Sequence, residues 1–325
     1  MTITQEDKKI LYYLQYIGDR TTAELADELR IRESTLQSKI GRWQKERHVA
    51  HRVFINTFMM GATEVEVLFT PSKATKGIQA ELVKAVMKSS GVRWFYRTAG
   101  KYDYSVGIEA LSMAQVTKHL EQLDSKTKGI FVNRETAVST GYWWFGRKYL
   151  APEGTKHSYC LTQLPSNHPK GIDPIDHQIL RALGQRGVMS YREIASATNI
   201  PQSTVGYRMN NLIKHEIIAG KPHLISPSWL GMLVYRLQLR FTTFSAETHK
   251  ALLKWCQQHP HVVSMMRLLG TWDYFVRCEV AQPQDITAMV DQLHDIFWPE
   301  LHECSVVSVV QEIAFSSYPI ETFSE

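Results

Sequence analysis

The chain has 325 residues, 44% of them apolar and 21% charged, the make-up of folded globular protein, which excludes extended disorder and fibrous architecture. Its 37 basic and 32 acidic residues leave a net charge of +5, an excess that permits nucleic-acid or anionic-surface binding without requiring it. Four cysteines, Cys160, Cys256, Cys278 and Cys304, form no CxxC pair, which argues against a zinc ribbon or a disulfide framework; with no long apolar run and no secretory-type start, we expect a cytoplasmic protein.

The chain repeats its own pattern. EDKKILYYLQYIGDRTTAELADELRIRESTLQSKIGRWQKERHV lies over IDHQILRALGQRGVMSYREIASATNIPQSTVGYRMNNLIKHEII, with Asp7 on Asp176, Leu14 on Leu183, Gly18 on Gly187, Glu24 on Glu193 and Ser34-Thr35 on Ser203-Thr204, all 169 positions apart. From Gly61 the offset becomes 170, so that RTAGKYDYSVGIEA (97–110) lies over RLLGTWDYFVRCEV (267–280). Each half is therefore expected to be one functional unit.

In chain order, Ile10, Leu11, Leu14 and Ile17 make one helical stripe, as do Ile179, Leu180 and Leu183. A second helix carries Leu25, Ala26 and Leu29, or Ile194 and Ala195. Its start is marked by Thr21 with Glu24, and by Ser190 with Glu193, the pattern of a capping box. After the short turns RIRES and NIPQS, a third helix over 33–46 or 202–215 turns Leu36, Ile40 and Trp43, or Val205, Met209 and Leu212, inward. Three short helices with a tight turn before the last predict a helix-turn-helix. The outward face of the third helix then holds Ser34, Thr35, Gln37, Ser38, Lys39 and Arg42, or Gln202, Ser203, Thr204, Tyr207, Arg208, Asn211 and Lys214. Short hydroxyls and amides followed by cations suit base edges and phosphates, so these are the candidate DNA contacts. HVAHRVFINTF and EIIAGKPHLISPSW each read as a small β-hairpin or wing.

The period then changes to two. TEVEVLF and LVYRLQLRF predict strands with Val65, Val67 and Phe69, or Tyr235, Leu237 and Leu239, on one face. Helix, two strands, helix and strand follow in each half, giving β-α-β-β-α-β, a ferredoxin-like module whose sheet is bare on one side. Because VRWFYRT and WDYFVRCEV are apolar or aromatic on both alternations, that bare face is expected to pack against a second sheet. Residues 145–172, with three prolines and three glycines, read as an irregular linker. The fold expectation is α+β: a helix-turn-helix over 1–58, a ferredoxin-like domain over 59–144, a linker over 145–172, a second helix-turn-helix over 173–228 and a second ferredoxin-like domain over 229–325.

A helix-turn-helix followed by a βαββαβ module with Gly-x-aromatic-Asp-Tyr resembles the Lrp/AsnC (leucine-responsive, feast/famine) regulators, over nearly the whole chain and twice. The resemblance implies a non-enzymatic, sequence-specific DNA-binding transcription regulator, with no cofactor, modulated by an amino acid or another small metabolite. Its RAM domains would pair sheet to sheet, as an intramolecular pseudo-dimer or a homo-oligomer. Gly100, Asp103 and Tyr104, with Gly270, Asp273 and Tyr274, would lie at the effector region; a turn, sheet and local hydrogen-bonding role is the plainer reading of the same residues. Family members normally carry one unit per chain, so two different recognition helices here predict an asymmetric operator.

Two other classes compete. Siroheme decarboxylases resemble the same superfamily and are marked by histidine and arginine near the second and third strands; here Arg93, Arg97 and Arg267 are present, with only His261 at an edge. An effector sensor that has lost DNA binding is the other, and Glu33 points to the first helix-turn-helix as the copy that would have decayed. His302-Glu303-Cys304 reads as a packed or surface histidine rather than a metal site, and Tyr142, Trp143, Trp144 and Phe145 read as interface or core.

Overall fold

A computed structural model describes residues 3–15, 21–71, 76–127, 131, 133–155, 159–243 and 245–320. The first half runs α1 (Gln5–Leu14), α2 (Thr22–Leu29), α3 (Glu33–Lys45), β1 (Val49–His51), β2 (Phe54–Ile55), β3 (Thr63–Thr70), α4 (Lys76–Met87), β4 (Val92–Ala99), β5 (Tyr104–Ala110), α5 (Met113–Lys126) and β6 (Asn133–Trp144). After β7 (Leu161–Gln163), the second half runs α6 (Pro174–Arg186), α7 (Tyr191–Thr198), α8 (Gln202–Lys214), β8 (Ile218–Gly220), β9 (His223–Ile225), β10 (Leu233–Phe241), α9 (Ala246–Gln258), β11 (Val262–Gly270), β12 (Tyr274–Val280), α10 (Pro283–Phe297) and β13 (Leu301–Phe315). The fold is α+β, two successive units of winged helix-turn-helix and βαββαβ module. Helix starts recur 169 residues apart in the three-helix parts (Gln5 and Pro174, Thr22 and Tyr191, Glu33 and Gln202).

The capping boxes form as the sequence requires. Thr21 and Glu24 exchange bonds at 2.7 and 3.2 Å, and Ser190 and Glu193 do the same at 2.7 and 3.3 Å. Two more, Thr4 with Asp7 and Asp173 with Asp176, start α1 and α6. Ile10, Leu11 and Leu14 are buried, matched by Ile179, Leu180 and Leu183; Ile17 and Gly18 lie outside the described residues.

The βαββαβ modules join along both edges. β6 pairs through residues 133–138 with β3 of its own unit and through 137–144 with β11 of the other. β13 likewise pairs through 301–308 with β10 and through 308–315 with β4. These last strands are twice the usual length, and the excess crosses the seam, so eight strands close into a barrel in the order β11-β12-β10-β13-β4-β5-β3-β6. Closure removes the exposed edges that two separate sheets would carry. Val65, Val67 and Phe69 pack with Leu82, Val86 and Leu123 of the first pair of helices; Leu237 and Leu239 pack with Leu252, Met289 and Leu293 of the second. The helices lie outside the barrel and the expected bare faces meet inside it.

The wings depart from expectation. Neither forms a hairpin with itself: β1 pairs with β9 and β2 with β8, antiparallel and across the units. Strands of two or three residues are too short to hold an isolated hairpin, and exchange gives each an apolar seat. Ile225 joins Val49, Leu36 and Trp43 in the first three-helix core, while Val53 and Ile55 join Ile179, Leu183 and Val205 in the second. The two helix-turn-helix cores are thus interlocked rather than confined to 1–58 and 173–228.

Residues 145–172 also hold more order than an irregular linker. β7 extends the sheet along β6, with Trp144 opposite Leu161. Phe145 is buried in the second barrel core and Leu150 in the first helical core. The segment is pinned because its apolar residues have cores on both sides to enter.

Candidate nucleic-acid interface

Each third helix has one face in a core and one open. Leu36 and Trp43 are buried with Ile40 half-buried, and Val205, Met209 and Leu212 are buried in the copy. α2 and α7 end at Arg30 (φ 56°) and Asn199 (φ 61°), 169 apart, both left-handed, which stops one helix and frees the chain to start the next in a new direction. Ser34, Thr35, Gln37, Ser38 and Arg42 are exposed on α3; Gln202, Ser203, Tyr207 and Lys214 are exposed on α8, with Thr204 and Asn211 half-buried. Tyr207, at 65% exposure, is the most open large apolar side chain on either third helix. Gln37 donates to Glu33 at 2.9 Å.

Lys39 and Arg208 are held differently from the outward cations expected. Lys39 Nζ lies 2.7 Å from Asp7 and 3.1 Å from Glu6; Arg208 lies 2.6 Å from Asp173 and 3.4 Å from Asp176. Partial burial pushes Asp7 up, but Lys39 and Thr4 outweigh it and hold its carboxyl below the usual range. In both copies a cation on the third helix is neutralised by the acids that cap the first.

The expected effector residues are brought to the hairpin turns and to the cores beneath the helices. Tyr104 is buried with its ring 5.5 Å from Phe69 and 5.4 Å from Phe95, and Tyr274 meets Phe241 edge-on at 5.8 Å. The Asp273 carboxylate accepts the Phe241 N–H at 2.7 Å, and the Asp103 carbonyl accepts the Thr98 N–H at 2.7 Å. A Cβ on Gly270 would stand 2.8 Å from the Thr136 carbonyl oxygen, so glycine is what lets the seam close there; the same atom on Gly100 would have no neighbour within 3.8 Å. None of the six lines the charged cavity beneath the wings.

That cavity, of 390 Å³, lies between the exchanged wings and the barrel, within the usual range for ligand pockets of ~300–1,000 Å³. Its wall is charged. Arg236 pairs with Glu66, whose carboxylate also accepts the Ser105 hydroxyl at 2.5 Å, and the guanidinium lies 4.9 Å from the Trp94 ring and 5.1 Å from Phe275. Arg147 grips Glu279 at 2.8 and 3.0 Å, and Arg277 bridges Glu279, at 3.1 Å, to Glu312. Burial pushes Glu279 up, but Arg147 and Arg277 outweigh it and hold it below its usual value. Glu64, which accepts the Trp94 indole N–H at 3.2 Å, is pushed up to about 7 by burial and by the neighbouring Glu109. Trp94 lies flat on β5 because residue 107 is glycine; a Cβ there would fall 2.3 Å from the indole nitrogen. Arg93, Tyr142 and Trp144 line the same space, whereas Arg97 is exposed and Trp143 and Phe145 belong to the second core.

Sequence reasoning missed this cavity because it placed Val65, Val67 and Phe69 on one face of the strand and assigned no role to the alternating Glu64 and Glu66. One signal was available: Glu66 and Arg236 are 170 apart, aligned positions that meet across the pseudo-dyad. Among the described residues no group of three His, Cys, Asp or Glu side chains could hold a metal, and Glu303 is engaged by Arg240 at 2.5 Å while His302 is exposed. No helix of the described residues is long and apolar enough to cross a membrane.

Comparison with known proteins converges on the helix-turn-helix. A family model described as winged helix-turn-helix DNA-binding matches residues 172–219. The uncharacterized HTH-type transcriptional regulator PH0140 of Pyrococcus horikoshii is 28% identical over 159 residues, 48% of this chain and 98% of that protein. The crystal structure of the siroheme decarboxylase NirDL matches 96% of this chain and 93% of its own at a TM-score of 0.59 and 12% identity, a likeness of fold. The uncharacterized HTH-type transcriptional regulator PYRAB01370 of Pyrococcus abyssi is 31% identical over 121 residues, 37% of this chain and 74% of that protein; on that match the chain belongs to the HTH-type transcriptional regulators.

Proposed function

We propose that the chain is a sequence-specific DNA-binding transcription regulator that arose by tandem duplication and works as a single-chain pseudo-dimer. The observation that carries this reading is the pair of third helices, each with a buried apolar face and an open face of hydroxyl, amide and cationic side chains. Ser34, Thr35, Gln37, Ser38 and Arg42 form one reading face; Gln202, Ser203, Thr204, Tyr207, Asn211 and Lys214 form the other. Lys39 and Arg208 hold those faces in place from behind. We divide the chain into 1–58, 59–144, 145–172, 173–228 and 229–325, with the wings traded between the first and the fourth of these segments. Because the faces differ, their half-sites differ, and helix-turn-helix pairs read half-sites about one turn, ~34 Å, apart. A small-metabolite effector, amino acid or otherwise, acts on this pair through the barrel.

Selection from random-sequence duplexes at fixed salt tests the reading: it is expected to enrich an asymmetric site, and enrichment of no site would overturn it. The likeness to NirDL over the full chain and the arginine-bearing cavity favour a second reading, a siroheme-decarboxylase-like enzyme acting on a carboxylated tetrapyrrole substrate. Anaerobic addition of siroheme separates the two. The regulator reading expects no shift of the siroheme absorbance bands and no release of carbon dioxide.

A further inference from the structure

We propose that the cavity between the wings and the barrel binds a compact, flat heteroaromatic anion, with ring N–H donors at one edge and a single phosphate or carboxylate at the other. Two features have no role in the fold itself. The second carboxylate oxygen of Glu66 is buried and has no hydrogen-bond partner, although its first is engaged by Arg236 and Ser105. A buried acceptor left in that state carries its desolvation cost uncompensated, a cost that a ligand N–H removes. At the mouth stands Arg52, between β1 and β2, whose side chain has no ion pair or hydrogen bond with a described residue. The other four arginines on the wall each have a carboxylate: Arg93 with Glu109, Arg147 and Arg277 with Glu279, and Arg236 with Glu66.

One uncommitted acceptor at depth and one uncommitted cation at the mouth define the two ends of a ligand. Flat surfaces lie between them. Trp94 and Tyr96 stack at 4.8 Å with their planes 22° apart, the Arg236 guanidinium lies over both and over Phe275, and with Tyr142 they make a mixed aromatic and cationic wall against which a ring can lie. A volume of 390 Å³ suits a one- or two-ring system with one acid group, and is small for a macrocycle carrying several carboxylates.

The mouth belongs to both wings: Arg52 and Phe54 come from one, Pro222 and Leu224 from the other. A ligand bridging Arg52 to Glu66 therefore fixes the wings against the barrel, and through the exchanged strands fixes α3 relative to α8. That coupling to DNA rests on the regulator reading; binding in the cavity does not.

Calorimetry and tryptophan fluorescence on the full chain, without DNA, test the site with guanosine 5′-monophosphate and indole-2-carboxylate as probes. We expect at least one probe to bind and quench tryptophan. Guanosine, which lacks the anion, and ribose 5-phosphate, which lacks the ring, should bind at least ten-fold more weakly than the nucleotide. Arg52→Ala, a half-buried wing residue outside every helical core, is expected to weaken the bound anion at least ten-fold with an unchanged melting temperature. Binding of neither probe, or binding unaffected by Arg52→Ala, would overturn the site. DNA binding by the ligand-free chain reports on the regulator reading alone, so the two can fail separately.

Discussion

Lys39 and Arg208 occupy corresponding positions, and both reach back to the first helix of their unit instead of outward. The outward-facing set was legible from helical periodicity, but periodicity places a side chain on a face without saying which way a long cation bends. Arg42 and Lys39 therefore divide what the sequence put together. Arg42→Ala is expected to weaken binding to the selected duplex and to reduce the slope of log affinity against log salt by about 1, the signature of one lost phosphate contact. Lys39→Met should leave that slope unchanged, because its charge is already neutralised by Asp7 and Glu6; equal slope losses in the two variants would contradict the assignment. Glu64 gives a second test. Its folded-state value is raised from about 4.5 to about 7, so its favourable contribution is complete below about pH 4.5 and is lost as pH rises through 7. Glu64→Gln keeps an acceptor for Trp94; denaturant unfolding should find it no more stable than the parent at pH 4.5 but more stable at pH 8, by up to about 3 kcal/mol. A difference that stays constant with pH would show that folding leaves the Glu64 carboxyl at its ordinary value.

At the scale of elements, every helix and the order β-α-β-β-α-β could be read from stripes, caps and alternation, because those signals are local. Strand exchange between the wings could not. HVAHRVF and KPHLISP show only that short strands exist; their partners are decided by which core receives Val49, Ile55, Ile218 and Ile225, and that is a tertiary choice. Ile225 is 3% exposed and sits in the first helical core although it follows α8 of the second unit. Ile225→Ala should cost about 2–5 kcal/mol, as large-to-small changes in cores do. Hydrogen exchange should show the loss first in α1–α3 rather than in α6–α8. Weakened protection confined to α6–α8 would mean that each wing serves its own unit.

The whole molecule is held by pairings that a chain of two unlike units can make and a symmetric dimer of one unit cannot. In such a dimer a residue on the axis meets its own copy, so aligned positions 66 and 236 would oppose like charges; here they are glutamate and arginine, buried and paired. Divergence at that one position favours the mating of a chain's two halves with each other. Arg236→Glu should destabilise the chain strongly, by about 3–5 kcal/mol, since it leaves two buried carboxylates together, and the exchange Glu66→Arg with Arg236→Glu should recover part of that loss. Additive losses in the double variant would place the pair off the axis. The packing of one sheet on the other was legible from the doubly apolar strands, while their closure into a barrel and its charged interior were not, because closure depends on strand partners and an alternating glutamate looks the same whether water or an arginine lies above it.

Base-resolution footprinting of the full chain on its selected duplex, with the binding stoichiometry measured in parallel, tests the central claim most directly. One chain per duplex should protect two unequal major-groove patches about one helical turn apart, with Arg42→Ala lifting protection from one patch and Asn211→Ala from the other. Protection of a perfect palindrome by two chains, or no protection at any site, would contradict a single chain that reads DNA with two different helices.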